Sequence, residues 1–169
     1  MSTAADPIKL LFVCLGNICR SPAAEGVVLH QLAQRGLGGR FHVDSAGTGA
    51  WHVGNPADSR MAAAASLRGI ELSSRARQIE PEDLEQFDLI LTMDPGNLRD
   101  VRALDPRGRS HGRIRPITDF CRRHRARAVP DPYYGGAAGF EQVLDLLEDA
   151  CTGLIDACLD GSALAHRPF

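Results

Sequence analysis

The chain has 169 residues, 44% hydrophobic and 24% charged, so it can bury one sizeable core but is too short for two typical domains. A formal net charge of -2 argues against a nucleic-acid binder and against an acidic tail. The first apolar stretch is short and contains Lys9, so it is neither a signal peptide nor a membrane span. Five cysteines without zinc-type spacing favour a reducing compartment. We therefore expect a cytoplasmic, single-domain protein over residues 1–169.

The first half of the chain predicts two strands and two helices. Apolar runs predict strands over residues 8–14 and 41–46. A helix that begins with Ser-Pro is expected over residues 21–36, ending at a glycine that can adopt a left-handed cap. A second helix is expected over residues 58–67, with an aspartate as N-cap and Gly69 closing it.

The second half continues the alternation of strands and helices. Residues 87–93 predict a third strand, and Asp94 followed by proline predicts the start of a helix that runs toward residue 104. A short fourth strand is expected over residues 113–117. Apolar residues at helical spacing over 140–158 predict a long amphipathic helix. This alternation is typical of a parallel sheet covered by helices on both faces.

The segment between the first strand and the first helix combines a nucleophile with an anion-binding turn. Five residues separate Cys14 from Arg20, and Ser21 follows. A turn from a buried strand into a helix directs backbone N–H groups at one point, where the helix dipole adds partial positive charge. Such a point binds a phosphate-sized oxyanion and favours the thiolate form of cysteine. Arg20 adds a planar fork that can bind two phosphate oxygens.

This segment resembles the phosphate-binding loop of the low-molecular-weight protein tyrosine phosphatases, and a second segment matches the same family. The two motifs are Val13-Cys14-Leu15-Gly16-Asn17-Ile18-Cys19-Arg20-Ser21-Pro22 and Asp131-Pro132-Tyr133-Tyr134-Gly135. The resemblance covers residues 8–159, and short flexible ends are expected at 1–7 and 160–169. We expect an α/β, flavodoxin-like three-layer sandwich with a four-stranded parallel sheet of order 2-1-3-4. The phosphate loop then lies where the strand order reverses.

The resemblance implies hydrolysis of phosphotyrosine and aryl phosphates through a phosphocysteine on Cys14. Asp131 would protonate the departing phenolate and later accept a proton from water, although an Asp-Pro pair alone is a common turn former. Ser21 would support the loop and ease departure of the thiolate. No metal and no other cofactor is needed. The phosphate would be bound by Leu15, Gly16, Asn17, Ile18, Cys19, Arg20 and Ser21.

Further residues of the loop and its surroundings take roles by the same resemblance. Asn17, otherwise an ordinary turn former, would hold the loop through hydrogen bonds with Ser45 as its partner. Ser74 stands where the family often has a supporting histidine, which predicts a less rigid loop. Cys19 would either fill space in the loop or trap oxidised Cys14 as a disulfide.

The mouth of the site is expected to present apolar and aromatic walls that fit a phenyl ring. By resemblance these walls are Leu15, Trp51, His52, Tyr133 and Tyr134. Trp51 has ordinary packing as its alternative. The expected partners are phosphotyrosine-containing proteins and a cognate tyrosine kinase, and a monomer is expected. Cys151 and Cys158 lie on the apolar face of the last helix and are expected in the core.

Three related activities compete with this interpretation. Protein arginine phosphatases use nearly the same loop but generally carry threonine at the position of Ile18, whose apolar side chain disfavours a guanidinium. Thioredoxin-linked arsenate reductases need two further cysteines in the middle of the chain, and none occurs between Cys19 and Cys121. A phosphocysteine carrier of sugar transport would need neither Arg20 nor Asp131.

Overall fold

A parallel four-stranded sheet forms the centre of the structure, a computed structural model that describes residues 6–164. The strand order is β2-β1-β3-β4, which confirms the predicted α/β fold and strand order. Register pairs such as Cys14 with Gly47 and Thr92 with Pro116 place the carboxyl ends of the strands at one edge. The strands are β1 (Ile8–Cys14), β2 (Phe41–Gly47), β3 (Leu89–Thr92) and β4 (Ile114–Pro116).

Helices cover both faces of this sheet, and two of them begin at aspartates that cap the helix through the side chain. The Asp58 carboxylate accepts the backbone N–H of Arg60 at 2.9 Å, and the Asp94 carboxylate accepts that of Asn97 at 2.8 Å, as their N-cap positions predict. Gly69 adopts the left-handed conformation, with φ of 76°, which few other residues tolerate. The helices are α1 (Arg20–Gln34), α2 (Ser59–Ser66), α3 (Asp83–Gln86), α4 (Pro95–Ala103) and α5 (Ala137–Leu159).

Several element boundaries differ from those predicted. Helix α1 begins at Arg20, one residue before the Ser-Pro pair, and α5 begins at Ala137, ahead of its apolar stripe. The single-turn α3 was not predicted, because four residues are too few to show a helical period. Phe87 ends that turn, so β3 starts later than expected, at Leu89. Strand β4 is likewise reduced to three residues.

The core lies on both faces of the sheet because the side chains of β1 alternate between them. Leu10 and Phe12 pack with α1 and α5, whereas Leu11 and Val13 pack on the opposite face with α3 and α4. A strand buried on both faces is expected to be a continuous apolar run, as this one is. Cys151 and Cys158 are buried, as predicted.

The ends of the described chain add little to this architecture. Residues 162–164 form a short 3-10 helix whose Ala163 is buried against the core. Of the ends predicted as flexible, residues 1–5 and 165–169 lie outside the described residues. Among residues 6–164, no helix is both long enough and apolar enough to span a membrane.

Candidate active site

The loop between β1 and α1 surrounds the sulfur of Cys14 with polar groups. The backbone N–H of Asn17 donates to Cys14 Sγ at 3.3 Å, and Ser21 Oγ lies 3.0 Å from the same atom. Asn17 has a φ of 57°, a left-handed conformation that turns the chain back toward the sulfur. Cys14 therefore lies at the N-terminus of α1, where free backbone N–H groups and the helix dipole favour an anion.

The Ser21 hydroxyl is available to this site because α1 begins one residue earlier. Ser21 lies within the first turn of the helix, and its Oγ does not serve as a cap. Instead the Oγ accepts the side-chain N–H of Asn17 at 2.8 Å. The hydroxyl can donate its own proton toward the Cys14 sulfur at 3.0 Å or toward the Ala46 carbonyl at 3.4 Å.

The prediction that Ser45 is the hydrogen-bond partner of Asn17 is wrong. Both ends of the Asn17 amide are already engaged: Nδ2 donates to Ser21, and Oδ1 accepts the backbone N–H of Arg77 at 3.0 Å. The Ser45 hydroxyl is buried and lies beside the Glu25 carboxyl without a hydrogen bond of ordinary length. Ser45 thus lies behind the loop but does not bond to Asn17.

Arg77, rather than Ser74, provides the second support of the loop. Among the hydrogen bonds of residues 6–164, none from the Ser74 side chain reaches the phosphate loop. The backbone of Arg77 contacts the loop and also accepts the N–H of Gly47 at 2.8 Å. Its guanidinium donates to Asp44 at 3.1 Å and to Asp83 at 3.0 Å. These two carboxylates fix the segment, so the loop is supported without the histidine common in the family.

Glu25 is a second residue behind the loop that sequence reasoning did not single out. Burial raises the pKa of Glu25 to about 7, against the lowering effect of the Ser45 hydroxyl, and the Asp44 carboxylate adds to the increase. At neutral pH this carboxyl is therefore partly protonated. No sequence signal distinguishes it from an ordinary exposed helix glutamate.

Arg20 is almost completely buried, with 3% of its side chain exposed. Its Nη1 donates to Asp94 Oδ2 at 2.6 Å and to the Val129 carbonyl at 3.1 Å, and Nη2 lies 3.6 Å from Asp131 Oδ2. The guanidinium thus joins the phosphate loop to the ends of two other segments. Asp94 was predicted only as a helix cap; its position directly after β3, at the carboxyl edge of the sheet, is the signal for this second role.

The Asp94 carboxylate is charged and therefore a true ionic partner of Arg20. Burial acts to raise the pKa of Asp94, but hydrogen bonds from Arg20 and from the Asn97 backbone outweigh it and leave the pKa below its ordinary value. A buried guanidinium needs such a counter-charge.

A cavity of about 310 Å³ brings the predicted catalytic and rim residues together. Trp51 is 73% exposed and Tyr134 is 94% exposed at its mouth, so neither has the packed environment that was the alternative for Trp51. The predicted supporting residues Asn17, Ser21 and Ser45 are buried and are not part of the lining. The cavity is lined by Cys14, Leu15, Gly16, Ile18, Cys19, Arg20, Trp51, His52, Asp131, Tyr133 and Tyr134.

Cys19 lies in the same cavity but in a different chemical state from a reactive thiolate. Burial raises the pKa of Cys19 to about 12, and the nearby carboxylate of Asp58 contributes in the same direction. At neutral pH Cys19 is therefore a protonated thiol.

A larger cleft, about 570 Å³, lies beside α1 and α5 and contains none of the predicted site residues. Its charged side chains are largely paired with one another, as Arg68 is with Glu148 at 3.1 Å and His124 with Asp149 at 2.8 Å. The cleft is lined by no cysteine, and the predicted chemistry therefore belongs to the smaller cavity.

Comparisons with known proteins agree with this geometry. A model of the family described as low molecular weight phosphotyrosine protein phosphatase matches residues 9–164. A putative low molecular weight protein-tyrosine-phosphatase, slr0328 from Synechocystis, is 54% identical over 88% of this chain and 94% of its own. A crystal structure of a protein tyrosine phosphatase from Entamoeba histolytica, with Hepes in its active site, has a TM-score of 0.89 and 43% identity. It covers 92% of this chain and 99% of that one.

A crystal structure of a Drosophila arginine phosphatase also shares the fold. It has a TM-score of 0.83 and 29% identity, over 89% of this chain and 98% of that one. The fold is therefore shared with a protein that is named as an arginine phosphatase.

The chain belongs to the low molecular weight phosphotyrosine protein phosphatase family. It is a protein-tyrosine-phosphatase, which confirms the family and the activity predicted from the two sequence motifs.

Two substitutions distinguish the contribution of the backbone conformation of Asn17 from that of its side-chain hydrogen bonds. Asn17→Gly and Asn17→Ala both remove the bonds to Ser21 and Arg77, but only alanine is strained at a positive φ. We expect Asn17→Ala to be less stable than Asn17→Gly by about 1 kcal/mol, and both to lose activity. Urea unfolding and kcat/KM measure this. Asn55→Ala, on the exposed loop, is the control, and equal stability of the two Asn17 variants would contradict the role of φ.

Proposed function

We propose that Cys14, Arg20 and Asp131 hydrolyse phosphotyrosine in two steps through a phosphocysteine. The observation that supports this is the presence of all three side chains in one cavity at the N-terminus of α1. A nucleophile, a cation and an acid around one anion-binding point are the groups that phosphoryl transfer from a phenol requires.

In the first step the Cys14 thiolate attacks phosphorus in line with the phenolic oxygen. The sulfur–phosphorus bond forms as the phosphorus–oxygen bond breaks, and protonated Asp131 gives its proton to the departing phenolate. Backbone N–H groups of the loop and the Arg20 guanidinium stabilise the charge on the equatorial oxygens. The carboxyl of Asp131 lies beside the phosphate-binding cation, with Oδ2 3.6 Å from Arg20 Nη2, and this proximity supports its role as the acid.

In the second step water attacks phosphorus and the sulfur departs as thiolate. Asp131, now ionised, accepts a proton from the water, as microscopic reversibility requires. The Ser21 hydroxyl lies 3.0 Å from the sulfur and stabilises the negative charge that develops there. Phosphate and the free enzyme result, and every step uses side chains of this chain.

The rim of the cavity supports phosphotyrosine-bearing proteins as the substrates. The rings of His52 and Tyr133 lie 6.4 Å apart between centroids, and Trp51 and Leu15 extend the apolar wall. A phenyl ring can pack against this apolar and aromatic rim, with its phosphate at the loop. We further propose a cytoplasmic monomer that opposes a cognate tyrosine kinase; the free state of the cysteines at positions 14, 19, 121, 151 and 158 supports a reducing compartment.

Phosphoarginine is the second candidate substrate, because a relative with the same fold is an arginine phosphatase. Ile18 argues against it here, since its apolar side chain lines the cavity and offers no hydrogen bond to a guanidinium. A buried polar group without a partner disfavours binding.

Substitution of the nucleophile and of the phosphate-binding cation tests the mechanism. Cys14→Ser should fall below a tenth of wild-type activity, because a hydroxyl is hardly ionised at neutral pH. Arg20→Lys should do the same, because lysine keeps the charge that Asp94 requires but lacks the planar fork. Cys121→Ser, remote from the cavity, is the matched control and should retain activity. Metal-free turnover of phosphotyrosine and phosphoarginine is the assay; faster turnover of phosphoarginine would favour the second candidate.

Loss of the proposed acid should depend on the leaving group. Asp131→Asn should lower kcat/KM far more for phenyl phosphate and phosphotyrosine than for p-nitrophenyl phosphate, whose leaving group needs little protonation. General acid catalysis contributes roughly 10²–10⁴-fold, so a difference of that order is expected. If all three substrates lose the same factor, Asp131 has a structural role only.

We also propose that Cys19 protects Cys14 during oxidation. Peroxide oxidises a thiolate to sulfenic acid, and a neighbouring thiolate can displace hydroxide from that sulfur to form a disulfide. The two cysteines line the same cavity, which supports the pairing. The high pKa of Cys19, about 12, limits the thiolate needed for this attack.

Capture by Cys19 should therefore become faster as the pH rises. After exposure to peroxide, dithiothreitol should restore wild-type activity, and it should restore Cys19→Ser poorly because the trap is absent. Cys121→Ser serves as the control and should recover like wild type. Mass spectrometry should find a Cys14–Cys19 disulfide that forms faster at pH 9 than at pH 7. Sulfinic Cys14 together with free Cys19 in the wild type would rule out protection.

A further inference from the structure

We propose that Arg60 is a positioning residue that holds the acid loop, residues 130–136, over the phosphate loop. Arg60 belongs to the first turn of α2, and its side chain is about half exposed, so it has the features of an ordinary surface residue. Its contacts nevertheless connect two loops that are far apart in sequence. This inference rests on the proposed role of Asp131 as general acid.

The first connection runs from Arg60 to the phosphate loop through Asp58. The backbone N–H of Asp58 donates to the Ile18 carbonyl at 2.8 Å, which fixes the start of α2 against the loop that contains Cys14. The Asp58 carboxylate then accepts Arg60 Nε at 3.2 Å and Nη2 at 2.9 Å. A bidentate pair of this kind sets the direction of the guanidinium as well as its distance.

The second connection runs from Arg60 to the acid. Arg60 Nη2 donates to the Tyr133 carbonyl at 3.1 Å, and the Tyr133 backbone N–H donates to Asp131 Oδ1 at 3.1 Å. The residue that bonds to the acid is thus held by Arg60. The other carboxylate oxygen, Oδ2, is the one that faces Arg20. One oxygen of Asp131 is therefore oriented from each side of the cavity.

Two aromatic rings add to the contact of Arg60 with the acid loop. The guanidinium carbon lies 5.4 Å from the centroid of Tyr133 and 4.9 Å from that of Phe140. Both distances are within the range of cation–π attraction. Phe140 is buried in α5, so the guanidinium lies between a fixed ring and the exposed loop.

The acid loop has few other supports on this side. In the described part of the chain, Arg60 is the one side chain from outside residues 130–136 that hydrogen-bonds to their backbone. On the preceding side, Val129 is held by its N–H to the Met93 carbonyl at 2.7 Å. Loss of the Arg60 bond would release the loop at one end, and Asp131 would spend less time near the departing oxygen.

The effect of Arg60 on catalysis should therefore follow the need for an acid. In Arg60→Met, kcat/KM for phenyl phosphate should fall about tenfold further than for p-nitrophenyl phosphate, the size expected for one hydrogen bond from a charged donor. Methionine keeps a long apolar side chain and removes the charge and the donors. In an Asp131→Asn background, Arg60→Met should lower kcat/KM for phenyl phosphate and for p-nitrophenyl phosphate by the same factor, because Arg60 acts through Asp131.

Arg40→Met is the matched control, since it removes the same charge from an exposed site before β2, at the opposite edge of the sheet. It should leave both values of kcat/KM unchanged. Circular dichroism should show each variant folded, and Arg60→Gln replaces Arg60→Met if the latter is not. Equal losses on both substrates, or the same selective loss in the Asp131→Asn background, would overturn the inference. If Asp131→Asn itself shows no leaving-group dependence, the proposed acid fails instead.

Discussion

The buried guanidinium of Arg20 is the interaction on which the arrangement of the site depends. A buried charge without partners costs several kcal/mol, so each segment around Arg20 must present an acceptor to it. Asp94 after β3 and Val129 before the acid loop both do so. These segments follow different strands, and the parallel sheet brings their ends to one edge. The fold and the site are thus coupled, because the strand order determines which acceptors can reach the cation.

The same coupling explains why the acid lies above the phosphate loop. Asp131 is drawn toward the site by Arg20 from one side, and its neighbour Tyr133 is bonded to Arg60 from the other. The exposed Arg60–Asp58 pair contributes little to stability by itself. Its value lies in orientation, because the guanidinium groups of Arg20 and Arg60, each paired with its own carboxylate, determine the position of the loop between them.

Sequence reasoning predicted the fold and the phosphate loop because both have local signals, whereas the rim residues of the cavity and the role of Asp131 came from the family resemblance. Apolar runs, capping residues and the Cys-x5-Arg motif each occupy a few consecutive positions, and parallel strands bring the ends of such segments together. The boundaries of β3 and β4 were less predictable. Single-turn α3 ends at Gln86, close to the start of β3 at Leu89, and shortens a strand that the apolar pattern alone would extend.

The supports of the site were not predictable in the same way because they depend on backbone groups of distant residues. Ser45 and Ser74 were chosen for their side chains, but the Asn17 amide bonds to the Arg77 backbone N–H, which any residue except proline could supply. What makes that N–H available is the placement of the Arg77 side chain between Asp44 and Asp83. Where the family often has a supporting histidine, two carboxylates thus fix a backbone donor in this chain. This support of the loop does not depend on the protonation of a histidine.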